Sequence, residues 1–240
     1  MAHKIAVASG KGGVGKSSIT CALAAELYKR NKKVLVVDCD KLCADDLMLS
    51  LGERVVYNWG DAVLGHCLLN DALYTAENGV VLLPCPKSYE GMSINRFRLL
   101  TKVLDKMYDY ILFDAPAGTE LGFILACCTA DSGIIVTLPD SVSARAAATG
   151  KEEMEEYISG DIRLIINRVG KTELTRRRFM NLDEIIDCVS AQLLGIIPED
   201  RSFRLASQNG LSDEEKKPYA KAVSAIAARI DGENVPLRYR

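Results

Sequence analysis

Near the start of the chain, "GKGGVGKSS" sets Gly10, Gly15, Lys16 and Ser17 in the pattern G-x-x-x-x-G-K-[ST]. These residue types suit phosphate. Glycines let consecutive backbone N–H groups, here those of Gly12, Gly13 and Val14 as well, curl around anionic oxygens. A helix that opens at the lysine adds the positive end of its dipole. In such a loop Lys16 reaches the β- and γ-phosphates and the Ser17 hydroxyl completes a magnesium shell. The pattern needs only its second lysine, so Lys11 calls for a separate explanation. Three carboxylates stand at strand ends: Asp38 closing "KVLVVD", Asp40 two residues on, and Asp114 closing "YILFD". Ligands of open α/β sheets gather at the carboxyl ends of strands, so these acids can converge on the loop to position magnesium and water.

A framework must hold those groups. Strands are expected at 4–9, 33–38, 79–84, 110–115, 133–138, 162–167 and 193–198, and helices at 16–30, 92–107, 119–129, 141–158, 182–191 and 213–231. Most strand runs are nearly continuous Val, Ile and Leu, as strands covered on both faces of a parallel sheet require. The alternation implies an α/β fold: a mostly parallel central sheet of about seven or eight strands with helices on both faces, the architecture of phosphate-loop NTPases. The loop falls directly after the first strand and opens the first helix, where its chemistry needs it. No linker, repeat or low-complexity tract intervenes, so residues 1–240 read as a single domain.

Hydrophobic content of 48% with 26% charged residues is ordinary globular composition. A net charge of −2 argues against a bulk electrostatic grip on nucleic acid or anionic lipid. The apolar run in "MAHKIAVASG" is too short for an export signal, and no window approaches a membrane span. Eight cysteines in that context read as reduced cytosolic thiols, packed as small hydrophobes. Only two histidines, His3 and His66, and no C-x-x-C argue against a structural metal site.

"KGGVGKSS" resembles the deviant Walker motif of an ATPase family that includes the MinD septum-site proteins, plasmid-partition ATPases, flagellar-number regulators and the nitrogenase iron protein. The resemblance implies that Lys11 reaches across a nucleotide-sandwich homodimer to the partner's phosphates. A second cation would then meet growing charge, as an arginine finger supplied in trans does. The MinD group is the most similar, through "VVDCD", "LSLGERVVYNWGDAVLG", "DYILFDAPAGTELGF", "INRV", "LLGIIPEDRSFRLASQNG" and "GENVPL". Position by position, the resemblance implies that Asp40 orients the attacking water and that Asp38 sits near magnesium and the phosphates. Asp114 would hold magnesium through water, and Ser18 would touch the α-phosphate. Asn167 would bind adenine, with Arg168 beside it and the segment around Pro198 and Asp200 lining the base pocket. Lys11, Lys16 and Asp40 then form the catalytic set, Ser17, Asp38 and Asp114 the metal set, and ATP and Mg2+ are the cofactors. The implied output is slow, partner-stimulated ATP hydrolysis by a cytoplasmic protein, dimeric with ATP, that regulates where cells divide. A peripheral place on the inner face of the cell membrane belongs to the same resemblance.

The match has departures. "KLCADDL", after Asp40, lacks the glycine–arginine character usual in this switch. "VPLRYR" offers only Val235, Leu237 and Tyr239 as apolar material, which speaks against membrane association, since an interfacial helix needs a larger apolar face. Upstream, Val223, Ile226, Ala227 and Ile230 form a core-facing helical stripe. Arg176, Arg177 and Arg178 beside Phe179 read as a solvated loop rather than a nucleic-acid patch, so there is no strong nucleic-acid signal. "SDEEKK" reads as a helix start, with Ser212 as N-cap and Glu215 at the capping-box position. Trp59 reads as a packing residue whose loop could belong to a dimer face. Two alternatives share the motif: a metallocentre-maturation carrier, kept alive by Cys39 and Cys43, and a DNA-binding partition ATPase.

Overall fold

A computed structural model of the chain describes residues 1–42, 49, 51, 54–170, 181–200, 203 and 217–237. The arginine cluster 176–178, Phe179, the helix start at 212–215, Cys43 and Tyr239 lie outside the described residues. The strands are β1 (His3–Ala8), β2 (Val34–Asp38), β3 (Tyr74–Thr75), β4 (Val81–Leu83), β5 (Tyr110–Asp114), β6 (Ser132–Thr137), β7 (Ile162–Val169) and β8 (Gln192–Pro198). They form an eight-stranded sheet in the order β3-β4-β2-β5-β1-β6-β7-β8. Every pairing is parallel except that of β3 with β4. The expected fold class is therefore present. The antiparallel edge strand β3 was not legible, because two residues carry no periodicity.

Helices cover both faces: α1 (Lys16–Lys29), α2 (Trp59–Leu64), α3 (Ile94–Leu104), α4 (Leu121–Thr129), α5 (Ser141–Glu155), α6 (Leu182–Val189) and α7 (Pro218–Ile230). Alternate side chains of β1 split the core in two. Ile5 and Val7 join α1 and α7 on one face, where Val223, Ile226, Ala227 and Ile230 are all buried. Ala6 and Ala8 join α2 to α6 on the other. Helix α2 went unread in the sequence: it has barely two turns, and its start rests on a capping box between Asn58 and Asp61.

Small residues bring α5 against the phosphate loop. A Cβ added to Gly10 would fall 1.8 Å from the Ala146 carbonyl oxygen, and one added to Gly150 would sit 3.3 Å from Gly10. Gly10 is thus demanded by helix packing as well as by the loop pattern. Gly10→Ala is expected to lower stability by about 1–3 kcal/mol through overpacking; a thermal-unfolding midpoint equal to wild type would show that α5 yields freely.

Candidate nucleotide site

The loop that follows β1 turns on two left-handed glycines, Gly13 at φ 78° and Gly15 at φ 94°, and Gly15 caps α1. Backbone of that hand suits glycine, because a Cβ would strain it. Cβ atoms added at Gly12 or Gly13 would meet nothing within 4 Å. The space beside these two glycines is therefore open. Val14 is buried beneath it, whereas Ser18 is half-buried on the first turn of α1.

The two lysines point to different environments. Lys16 is buried and its Nζ lies 2.9 Å from Asp114 Oδ2, with that carboxylate 1% exposed. Lys11 is exposed. Its ammonium is close enough to Asp140, the N-cap of α5, to act on that carboxyl. Burial alone would raise the Asp140 pKa, but the Ser143 donors and Lys11 outweigh it and hold the carboxyl below its ordinary range.

Asp38 and Asp114 end neighbouring strands and are paired in register, both 1% exposed. The Ser17 hydroxyl donates to Asp114 Oδ2 at 2.5 Å, and Thr20 Oγ1 donates to Asp114 Oδ1 at 3.1 Å. Thr20 was missed in the sequence, although its place one helical turn after Lys16 on the same face was a usable signal. Asp40, half-buried, donates its backbone N–H to Asp38 Oδ1 at 2.7 Å and accepts from the Leu42 N–H at 3.1 Å. Two buried carboxylates and a hydroxyl at the mouth of an open glycine loop form a hard-oxygen donor set, which suits Mg2+.

Residues expected around the base come from the far end of the sheet. Asn167 is 1% exposed, and its amide donates to the Val14 carbonyl at 2.7 Å. Its Oδ1 accepts from the Arg168 N–H at 2.9 Å. A Cβ on Gly15 would strike the Asn167 amide at 2.5 Å, so this side chain braces the loop. Arg168 takes a left-handed φ of 57°, and β7 pairs with β8 as far as Pro198. Asp200 follows two residues beyond Pro198, and of the expected base-pocket residues Asn167 is the one in hydrogen-bond contact with the loop.

Cys39 is fully buried, and burial, with Cys85 and Asp38 adding, pushes its thiol pKa well up. That environment does not present it as a surface metal ligand. Cys127 is likewise pushed up, by burial first, to about 12. Trp59, read as packing, is buried and also donates its indole N–H to the Asp38 carbonyl at 2.9 Å. Tyr89, not singled out in the sequence, donates to the Cys39 carbonyl at 2.5 Å. Neither contact has a sequence signal, because each partner lies 21 or 50 residues away.

An open glycine loop between β1 and α1, an inward lysine and strand-end carboxylates on the adjoining strands define a phosphate-loop nucleotide hydrolase. Comparison with known proteins narrows this class. The chain belongs to the CobQ/CobB/MinD/ParA nucleotide-binding domain family, whose model matches residues 5–212. It is 33% identical over 240 residues to the septum site-determining protein MinD of Synechocystis, covering 97% of this chain and 90% of that one. Its fold matches the MinD of an Aquifex aeolicus MinC:MinD cell division complex with a TM-score of 0.91, 32% identity and 99% of each chain covered. MinD from Pyrococcus horikoshii, solved with Mg-ADP, matches with a TM-score of 0.83 at 28% identity over 96% of each chain. The chain is a MinD-like ATPase that uses ATP and Mg2+.

Proposed function

We propose that this MinD-like ATPase works as an association switch, closing as a homodimer around two ATP molecules and separating after hydrolysis, with division-site placement as its output. One observation carries the reading. A single loop holds one lysine turned inward onto Asp114 and another exposed to solvent. An exposed cation on a phosphate loop supports a role toward a phosphate outside its own subunit.

Lys16 and the loop amides of Gly12, Gly13, Val14 and Gly15 bind the phosphates, and Ser18 supports the α-phosphate. Ser17, Asp38 and Asp114 would hold Mg2+, directly or through water. When bound, the ion would supply charge neutralisation to the phosphates. Lys16 then exchanges its contact with Asp114 for the phosphate. Asp40 orients the water that attacks the γ-phosphorus, and Lys11 meets the developing charge from the partner subunit. Asn167, Arg168, Pro198 and Asp200 take the base.

The Aquifex structure is a complex of MinD with MinC, and a protein partner is the expected regulator here, acting by completing or disturbing the closed dimer. Among the described residues no helix is long and apolar enough to cross a membrane. The location that fits is cytoplasmic, with any membrane attachment peripheral and governed by nucleotide.

Light scattering and vesicle sedimentation, each with ATP and with ADP, test the switch. A dimer with Mg-ATP and a monomer with Mg-ADP are expected. The same mass in both states would overturn it. ATP-dependent sedimentation with anionic vesicles would add a membrane cycle, and its absence would leave a switch free of lipid.

A further inference from the structure

The carbonyls of Asp38 and Cys39 lie where the β-ladder runs out. On one flank β4 ends at Leu83, which pairs with Val37. Trp59 continues the bridging past that pair. Its backbone N–H donates to the Pro84 carbonyl at 3.1 Å, and its indole N–H donates to the Asp38 carbonyl at 2.9 Å. One residue thus clips the ends of β2 and β4 together.

Tyr89 does the same for the next carbonyl. Its hydroxyl donates to Cys39 at 2.5 Å, and its ring stacks on Trp59 with centroids 5.7 Å apart. Phe97 packs edge-on against the other side of Trp59 at 4.9 Å. On the opposite flank the Cys39 N–H donates to the Asp114 carbonyl at 3.0 Å. Helix α4 closes the cage: a Cβ on Gly122 would fall 2.3 Å from the Cys39 carbonyl oxygen and 2.4 Å from the Tyr89 hydroxyl. Lys41 sits 4.7 Å above the Tyr89 ring and 3.5 Å from Glu120, the N-cap of α4. The peptide units between Asp38 and Asp40 are therefore held from three sides, by groups remote in sequence.

We propose that Trp59 and Tyr89 are positioning residues for hydrolysis: their two hydrogen bonds to consecutive carbonyls fix the directions in which Asp38 and Asp40 present their carboxylates. Neither side chain touches nucleotide. Each acts through the backbone it holds, and a carboxylate misplaced by a fraction of an ångström orients water poorly while leaving the phosphate loop intact. This rests on the roles proposed above for Asp38 and Asp40.

Trp59→Phe and Tyr89→Phe each retain an aromatic ring and remove one donor. Either change is expected to lower kcat for ATP about 10- to 100-fold, in line with the cost of small displacements at reacting groups. KM for ATP should stay within about two-fold, because uniform binding is untouched. Amide exchange at Cys39 and Asp40 should be faster in both variants than in wild type. Trp59 is the single tryptophan of the chain, so in wild type its emission should differ between Mg-ATP and Mg-ADP, and Tyr89→Phe should shrink the difference. Unchanged kcat, or a KM increase that matches the loss of kcat, would overturn the proposal. So would unchanged exchange at both amides. If wild type itself shows no ATP turnover, the hydrolytic reading fails, and exchange at Cys39 and Asp40 still decides whether these residues hold the turn.

Discussion

Lys16→Met is expected to lower ATP turnover at least about 10³-fold, the scale of removing a cation from a phosphoryl-transfer site. It should also destabilise the nucleotide-free protein. Lys16 and Asp114 form a buried pair at 2.9 Å with side chains 8% and 1% exposed. Removing one partner of such a pair costs about 3–5 kcal/mol, because the other charge stays buried without compensation. Ser17 and Thr20 still donate to Asp114, so the lower end of that range is expected here. The two effects separate in a double variant. Lys16→Met with Asp114→Asn removes both charges and should recover most of the lost stability, since an asparagine can accept from one hydroxyl and donate to the oxygen of the other. Turnover should remain lost, because neither phosphate nor magnesium has its ligand. Chemical denaturation and phosphate release measure the two quantities on the same samples. A double variant as unstable as the single one would refute the electrostatic account of the pair, and turnover surviving in Lys16→Met would refute its phosphate role.

Lys11→Ala should behave in the opposite way. Lys11 is exposed, so its removal should change stability by no more than about 0.5 kcal/mol. If it acts across a dimer, ATP-dependent association should disappear and turnover should fall about 10³-fold, as with an arginine finger supplied in trans. Nucleotide binding by the monomer should persist in part, since Lys16 and the loop amides remain. Asp40→Ala should instead keep the ATP-bound dimer and stop hydrolysis, because the water loses its orienting group and the lysine contact does not. Light scattering read beside turnover distinguishes the two variants. Association and turnover both intact in Lys11→Ala would remove the cross-subunit role, and unchanged turnover in Asp40→Ala would remove the water-orienting one.

Much of this was legible before any coordinates. The phosphate loop is a local object. Gly13 and Gly15 adopt left-handed backbone that their own missing Cβ atoms allow, and Lys16 opens a helix on the next residue. Steric limits between near neighbours settle such features, so neighbouring letters reveal them. The buried parallel strands were legible for a related reason, since burial on both faces leaves an uninterrupted apolar run. Resemblance to the deviant Walker family, read from "KGGVGKSS" and the strand-end acids, named the class that the comparisons then showed.

Pairing across the fold was not legible. Asp38 and Asp114 are 76 residues apart, and they stand in register because β5 inserts between β2 and β1. Asn167 braces the Val14 carbonyl from 153 residues away. Trp59 takes a structural and a proposed positioning role only because it docks at the ends of β2 and β4, where it reaches the Asp38 and Pro84 carbonyls. Gly10 could be assigned to the loop, but the helix that forbids it a side chain begins more than 130 residues later. The chain alone therefore determined which groups could meet phosphate and which runs would become strands and helices, because backbone sterics and burial periodicity act over a few residues. The tertiary structure decided which carbonyl, carboxylate and ring meet, because strand order and helix docking close loops of tens of residues, and no local pattern records where those loops end.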